Sequence, residues 1–239
     1  MSLNFIDIAS WQAGINLDAV LEQNPLNGII VKSTQSINYV NPYCDKWVQW
    51  AIKKGLPWGF YHFLDYTDPV EEAKFYIKHT INYFKDGVPV ADYEGSIVSA
   101  YGTYYLRRFL ETVYDETGIK PLVYCNLSTI QGDVNGFRAI SESGFKLWLA
   151  QYSYNAPSTF VAQPWQQGSY APFKTITMHQ YSSNGHLNGY NGNLDLDIFY
   201  GTADDWAALA GTEAIPEPIT DMGRDAIIDA IIELLEKLR

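Results

Sequence analysis

The sequence predicts an α/β fold, an incomplete TIM-like barrel of five βα units followed by three strands with few helices. Up to residue 126, short apolar runs alternate with amphipathic stretches of about 10 to 18 residues, which is typical of parallel βαβ units. The length of 239 residues and the hydrophobic content of 47% also suit one such domain. An α/β barrel takes about 200 to 250 residues.

The five βα units repeat one pattern of strand, helix and glycine. Their predicted strands are residues 4–9, 28–33, 57–63, 88–94 and 121–126. Their predicted helices include residues 16–23, 41–54, 68–84 and 99–117. Asn41 is the expected cap of the second helix, and Asp68 followed by Pro69 opens the third. Gly55 and Gly118 are the expected helix stops.

Three further apolar runs, residues 147–152, 175–181 and 194–199, complete the predicted set of eight strands. Residues 154–173 and 182–193 between them are rich in Gly, Pro, Asn or Gln and lack helical periodicity. A doubly wound sheet is the structural alternative. Acids at strand ends both early and late in the chain favour closure into a barrel.

The chain divides into a barrel (residues 1–210), a linker (211–221) with the stretch Pro216-Glu217-Pro218, and a C-terminal amphipathic helix (222–239). We expect the helix to pack back on the barrel. Self-association through residues 222–239, or the start of a wall-binding region, is the alternative.

Composition excludes several partners. A formal net charge of -11 and a pI near 4.7 argue against nucleic acid and anionic membranes, which require basic patches. The N-terminus lacks a charged-then-apolar signal pattern, so we expect synthesis in the cytoplasm without a signal peptide. Two cysteines, Cys44 and Cys125, do not indicate a disulfide framework, and we expect buried free thiols.

The strand ends carry an unusual number of acids. In a parallel barrel these ends converge on one rim, where active sites are built. The residues concerned are Asp7, Lys32, Tyr61, Asp92, Glu94, Tyr124, Gln151, Gln180, Asp195 and Asp197. Gathering so many like charges costs stability, which favours a functional site over a solvated strand end.

Asp92 and Glu94 are two residues apart on one predicted strand and therefore share a face. Close carboxyl groups raise each other's pKa, so that one stays protonated as a general acid while its neighbour ionises. Glycosidic bond cleavage is the reaction most in need of this pairing. Metal binding by the acids is the chemical competitor. His62, His79, His179 and His186 are scattered and form no ligand cluster, so we expect neither metal nor cofactor.

Seven motifs occur in the order found in family 25 glycoside hydrolases, the Chalaropsis-type lysozymes common among phage endolysins. They are Asp7-Ile8-Ala9-Ser10-Trp11-Gln12, Val31-Lys32-Ser33-Thr34-Gln35, Gly59-Phe60-Tyr61-His62-Phe63, Asp92-Tyr93-Glu94, Leu147-Trp148-Leu149-Ala150-Gln151-Tyr152, His179-Gln180-Tyr181 and Asp195-Leu196-Asp197-Ile198-Phe199. The chain resembles this family over residues 4 to 205. The resemblance implies a barrel that cleaves the β-1,4 bond between N-acetylmuramic acid and N-acetylglucosamine in peptidoglycan glycan strands.

By the same resemblance, Glu94 is the general acid and Asp92 an ionised partner that acts on the substrate's N-acetyl group or its ring. Asp7 and Asp195 complete the acidic floor, and Asp197 shares the face of Asp195. The substrate-binding residues implied are Lys32, Tyr61, Tyr124, Trp148 and Gln180.

The expected setting is the bacterial cell wall, reached after release from a phage-infected or prophage-bearing cell. A chitinase or endo-N-acetylglucosaminidase is the alternative enzyme. A catalytically silent glycan-binding barrel is the alternative of another class.

Overall fold

The computed structural model describes residues 2–211, and within that range eight strands close into a barrel. These strands are β1 (Leu3–Ile8), β2 (Gly28–Gln35), β4 (Trp58–Phe63), β5 (Val88–Asp92), β6 (Leu122–Asn126), β7 (Leu147–Ala150), β8 (Ile176–Gly185) and β9 (Leu194–Phe199). A short strand, β3 (Tyr39–Val40), pairs antiparallel with the end of β2. The predicted barrel of five βα units followed by three strands is confirmed.

The direction of β9 determines what lies at the rim. Strands β1, β2 and β4 to β8 are parallel neighbours around the barrel, whereas β9 runs antiparallel to both β8 and β1. In the β1–β9 register, Asp7 lies opposite Asp195, and Phe5 lies opposite Asp197. Because β9 is reversed, its first residues lie at the rim where the other strands end. Asp195 is therefore near the opening, and Asp197 lies one layer deeper.

Helices follow each of the first five barrel strands. They are α1 (Leu17–Gln23), α2 (Cys44–Lys54), α3 (Pro69–Thr80), α4 (Ser96–Thr117), α5 (Leu127–Gly132) and α6 (Val134–Glu142), and α7 (Ala203–Leu209) follows β9. The side chain of Asp68 accepts hydrogen bonds from the backbone N–H groups of Val70 and Glu71, and Pro69 occupies the first turn of α3 as predicted. Gly55 and Gly118 end α2 and α4 in left-handed conformations, also as predicted.

Three predicted helix boundaries were wrong, and one of them is the start of α4, which lies at Ser96 and not at Ser99. Asn41 does not cap α2, which begins at Cys44. Its side chain instead donates to the Lys32 carbonyl at 2.7 Å and accepts from the Tyr43 N–H at 3.1 Å, which ties the loop to β2. The third helix ends at Thr80, before Ile81 and Phe84, because the chain must turn here to enter β5 at Val88.

The core has two layers, one between the strands and the helices and one inside the barrel. The short helix α7 closes the end of the barrel opposite the rim. Its Trp206 packs 4.5 Å from Phe5 and 5.0 Å from Phe199, measured between ring centroids, and donates its indole N–H to the Trp58 carbonyl at 3.0 Å. A filled lower interior leaves only the upper end of the barrel for a site.

Cys44 and Cys125 are free and buried, as expected from the sequence. Between residues 2 and 211, none of the helices has the length and apolar character needed to cross a membrane. The predicted linker after Gly211 and the predicted helix 222–239 lie outside the described residues.

Candidate active site

A cavity of about 220 Å³ opens at the rim where the parallel strands end. Its lining residues are Asp7, Tyr61, Asp92, Glu94, Tyr124, Trp148, Tyr152, Gln180 and Asp195. Eight of the nine predicted site residues are in this set, and Lys32 is the exception. Residues from β1, β4, β5, β6, β7, β8 and β9 thus converge although they are far apart in sequence.

Asp92 and Glu94 lie where β5 passes into α4. Asp92 is the last residue of β5, and the intervening Tyr93 turns its buried ring toward Phe137, at 6.3 Å between centroids. This alternation leaves both acids on the cleft side, as expected for residues two apart on a strand. Gly95 then adopts a φ of 70°, so the chain can turn into α4 directly after Glu94. The Asp92 carboxyl is 7% exposed, and its Oδ1 has no hydrogen-bond partner among the described residues.

Gln180 is the centre of a hydrogen-bond network on the opposite wall. Its side-chain N–H donates to Oδ2 of Asp7 at 2.6 Å. Its Oε1 accepts from the Tyr124 hydroxyl at 2.7 Å and also from the Tyr152 hydroxyl. Gln180 is 3% exposed and was predicted to contact substrate. Because protein groups already form hydrogen bonds with both the nitrogen and the oxygen of its amide, Gln180 is better placed to orient Asp7 than to bind substrate.

Trp148 forms the floor of the cleft instead of an exposed wall. Its side chain is 2% exposed, and its ring meets that of Tyr124 edge-on at 4.8 Å between centroids. The indole N–H donates to Oδ1 of Asp197 at 3.0 Å. Tyr61 and Tyr124 are also largely buried, so the aromatic residues shape the base of the site.

Burial raises the pKa of every acid in the cleft, and repulsion by neighbouring acids raises it further for Asp7, Asp92 and Asp195. For Asp92 the causes are burial first and then the charge of Glu94, with Lys32 opposing them. Burial also raises the pKa of Glu94. Burial and Asp195 raise that of Asp7, and burial together with Glu94 raises the pKa of Asp195 to about 6. The raised pKa of Asp92 favours its protonated form, whereas the sequence predicts an ionised partner, because burial weakens the solvation of its carboxylate.

Lys32 lies beside the cleft but does not line it. Its ammonium donates to Oε1 of Gln35 at 2.6 Å and lies 4.6 Å from the centroid of the Phe63 ring. Its charge still acts on the site, because it lowers the pKa of both Asp92 and Glu94. We therefore interpret Lys32 as an electrostatic neighbour of the acids.

The four histidines form no common site. His62 and His179 are buried and bonded to Thr34 at 2.7 Å and to the Gln151 carbonyl at 2.9 Å. His79 and His186 are exposed. In the described part of the chain, no three His, Cys, Asp or Glu side chains are arranged to share a metal ion.

One residue of the site was missed from sequence. Tyr152 lines the cleft and belongs to a predicted motif, but it received no role. Side chains alternate along a strand, so Tyr152 shares a face with Ala150 and Trp148, and this spacing could have predicted its place in the cleft.

Comparison with known proteins agrees with this geometry. The profile described as glycosyl hydrolases family 25 matches residues 6–190. An autolytic lysozyme of Clostridium acetobutylicum is 26% identical over 196 residues, which cover 81% of this chain and 55% of that protein. A lysozyme of Streptococcus phage Cp-9 is 30% identical over 189 residues, covering 75% of this chain and 51% of that protein. The chain thus spans about half the length of these curated relatives.

Solved structures share the fold. A bacterial lysozyme from Streptomyces coelicolor superposes with a TM-score of 0.72 at 23% identity, covering 89% of this chain and 98% of that one. A family GH25 lysozyme from Aspergillus fumigatus gives 0.66 at 22% identity, covering 88% and 99%. The profile match covers well over half of the chain and agrees with the resemblance in the sequence motifs. The chain belongs to glycosyl hydrolases family 25.

Proposed function

We propose that this protein is a lysozyme of the N-acetylmuramidase type, which hydrolyses the β-1,4 bond between N-acetylmuramic acid and N-acetylglucosamine in peptidoglycan. The observation that carries the proposal is the acidic cleft, in which the buried Oδ1 of Asp92 has no partner among the described residues and lies near Glu94. Curated relatives named lysozyme support the same substrate class.

Glu94 is the proposed general acid. Burial raises its pKa, which favours the protonated form, while partial exposure to the cleft leaves it accessible to substrate. Its proton would pass to the glycosidic oxygen as the bond from that oxygen to the anomeric carbon breaks. The resulting carboxylate would then take a proton from the water that completes hydrolysis, which regenerates the acid.

Asp92 is the proposed partner of the substrate's acetamido group. Its unpaired Oδ1 is an acceptor, and an amide N–H is the donor that an N-acetyl sugar brings into the cleft. A hydrogen bond to the charged form lowers a carboxyl pKa, so substrate binding would itself favour ionised Asp92. The acetamido oxygen could then attack the anomeric carbon, the substrate-assisted variant of glycoside hydrolysis.

Asp7 and Asp195 would supply negative charge below the reacting sugar. They lie directly opposite each other across the β1–β9 pair, an arrangement of like charges that costs stability. An oxocarbenium-like centre would be stabilised by that charge. The proposed setting is the bacterial cell wall, and release from a phage-infected or prophage-bearing cell is the proposed route.

The test is loss of turbidity of purified cell walls with wild-type protein and with Glu94→Gln. We expect the variant to be slower by about 10² to 10⁴ fold, the usual contribution of a general acid. Glu116→Gln, an exposed position on α4, is the matched control and should remain active. Unchanged lysis by a folded Glu94→Gln variant would remove Glu94 from the mechanism.

A further inference from the structure

Asp197 is a fully buried acid inside the barrel, one layer below the cleft. Its side chain is 0% exposed, and it does not line the cavity. Asp7 lies above it, with an exposed fraction of 7% and one face on the cleft. A fully buried carboxyl must be neutral or well paired, because burying an isolated charge is very costly.

The surroundings of Asp197 favour a retained proton on its carboxyl group. Its Oδ1 accepts the indole N–H of Trp148 at 3.0 Å, and no N–H or O–H donor among the described residues reaches Oδ2. Asp7 is its diagonal neighbour across the β1–β9 pair, because Asp7 lies opposite Asp195 and Phe5 lies opposite Asp197. Two buried carboxyl groups this near each other repel when both are ionised, so a proton kept by one of them stabilises the pair and supplies the donor that Oδ2 lacks.

Asp197 is the better holder of that proton. Ionised Asp7 receives the Gln180 N–H at 2.6 Å and faces the cleft, where water or substrate can stabilise its charge. Burial and the charges of Asp7 and Asp195 raise the pKa of Asp197 well above its usual range. A protonated Asp197 can donate to Asp7 while its other oxygen still accepts from Trp148.

Within the described residues, the strands packed around Asp197 carry no Lys or Arg that could offset its charge. Several groups lie next to Asp197 or interact electrostatically with its carboxyl group. They are Asp7 on β1, Asp195 on its own strand, Trp148 on β7, Gln180 and Tyr181 on β8, and Tyr152. The two neighbouring acids repel a negative charge, and the other groups are neutral. The neutral form of Asp197 is therefore the stable one.

We propose that Asp197 is a positioning residue that keeps its proton and donates it to Asp7, so that Asp7 presents an ionised, oriented carboxylate to the cleft. The inference rests on the proposed function, since it assigns Asp7 a role in glycan hydrolysis. It also separates the two acids of the last strand, with Asp195 lining the cleft and Asp197 supporting Asp7 from below.

Asp197→Asn tests the inference, because an amide reproduces the neutral acid. Its N–H can donate to Asp7 while its oxygen accepts from Trp148. We expect kcat/KM on peptidoglycan within about threefold of wild type and an unshifted acid limb of the pH profile. Asp197→Leu has a similar shape but no donor, and we expect kcat to fall by about tenfold or more. Its acid limb should move to higher pH, because loss of the donor raises the pKa of Asp7.

A folded Asp197→Asn variant that loses about 100-fold or more in kcat/KM would overturn the inference, since an ionised Asp197 would then be required. Failure of that variant to fold would also contradict it, because a neutral isostere should fit the same bonds. A folded Asp197→Leu variant with an unshifted pH profile would reduce Asp197 to a packing role. Inactive wild-type protein would instead refute the proposed function, so the two failures are distinguishable.

Discussion

Asp195→Asn should make the folded protein more stable at neutral pH and a poorer enzyme. Asp195 lies opposite Asp7, and burial together with Glu94 raises its pKa from the ordinary 3.8 to about 6. The folded protein therefore holds this proton more tightly than the unfolded chain does. Ionising Asp195 costs folding free energy, a penalty that is absent well below pH 3.8 and complete above about pH 6.

The folding free energy lost on ionising Asp195 follows from the shift of its pKa. A pKa that moves from 3.8 to about 6 corresponds to about 3 kcal/mol of folding free energy. Asp195 is partly solvated, so we expect Asp195→Asn to recover about 1–2 kcal/mol at pH 7. For a domain of this size that amounts to about 2–8 °C in Tm.

Urea unfolding at pH 7 and at pH 4 measures this effect. The gain should be present at pH 7 and should shrink at pH 4, where the wild-type carboxyl is itself largely protonated. Asp115→Asn, an exposed position on α4, is the control and should change stability little at either pH. A variant that is less stable than wild type at pH 7, or equally stabilised at both pH values, would refute the reasoning.

Three further predictions concern the cleft. Lys32→Met should move the alkaline limb of the kcat/KM profile to higher pH, because the ammonium lowers the pKa of Glu94. An unshifted limb, matching that of the exposed control Lys78→Met, would contradict this role. Tyr152→Phe should lower kcat more than it raises KM if its hydroxyl orients Gln180, and an effect on KM alone would count against it. EDTA should leave wall lysis unchanged, and a loss restored by added divalent cation would bring the metal hypothesis back.

The rim could be predicted from sequence because the signals that define it are local. Period two places Asp92 and Glu94 on one face, and parallel strands bring distant strand ends such as Asp7 and Tyr124 to one edge. Neither inference needs a tertiary contact. Eight of the nine predicted residues therefore line the cleft.

What the sequence could not provide depends on strand direction and depth. Asp195 and Asp197 share a face, and only the antiparallel pairing of β9 decides which one is near the opening. The position of Lys32 against the Phe63 ring of β4, beside the cleft, likewise depends on tertiary packing. Helix α7 did carry a local signal, the capping box of Thr202 and Asp205, but seven residues are too few for periodicity to predict it.

Identification of the new reducing end tests the central claim most directly. Purified peptidoglycan is digested, the products are reduced with borohydride, and the modified sugar is identified by mass spectrometry. A muramidase leaves reduced N-acetylmuramic acid, and we predict that sugar for the wild-type protein but not for Glu94→Gln. Reduced N-acetylglucosamine would contradict the account in favour of an endo-N-acetylglucosaminidase, and absence of any new reducing end would favour a silent glycan-binding barrel.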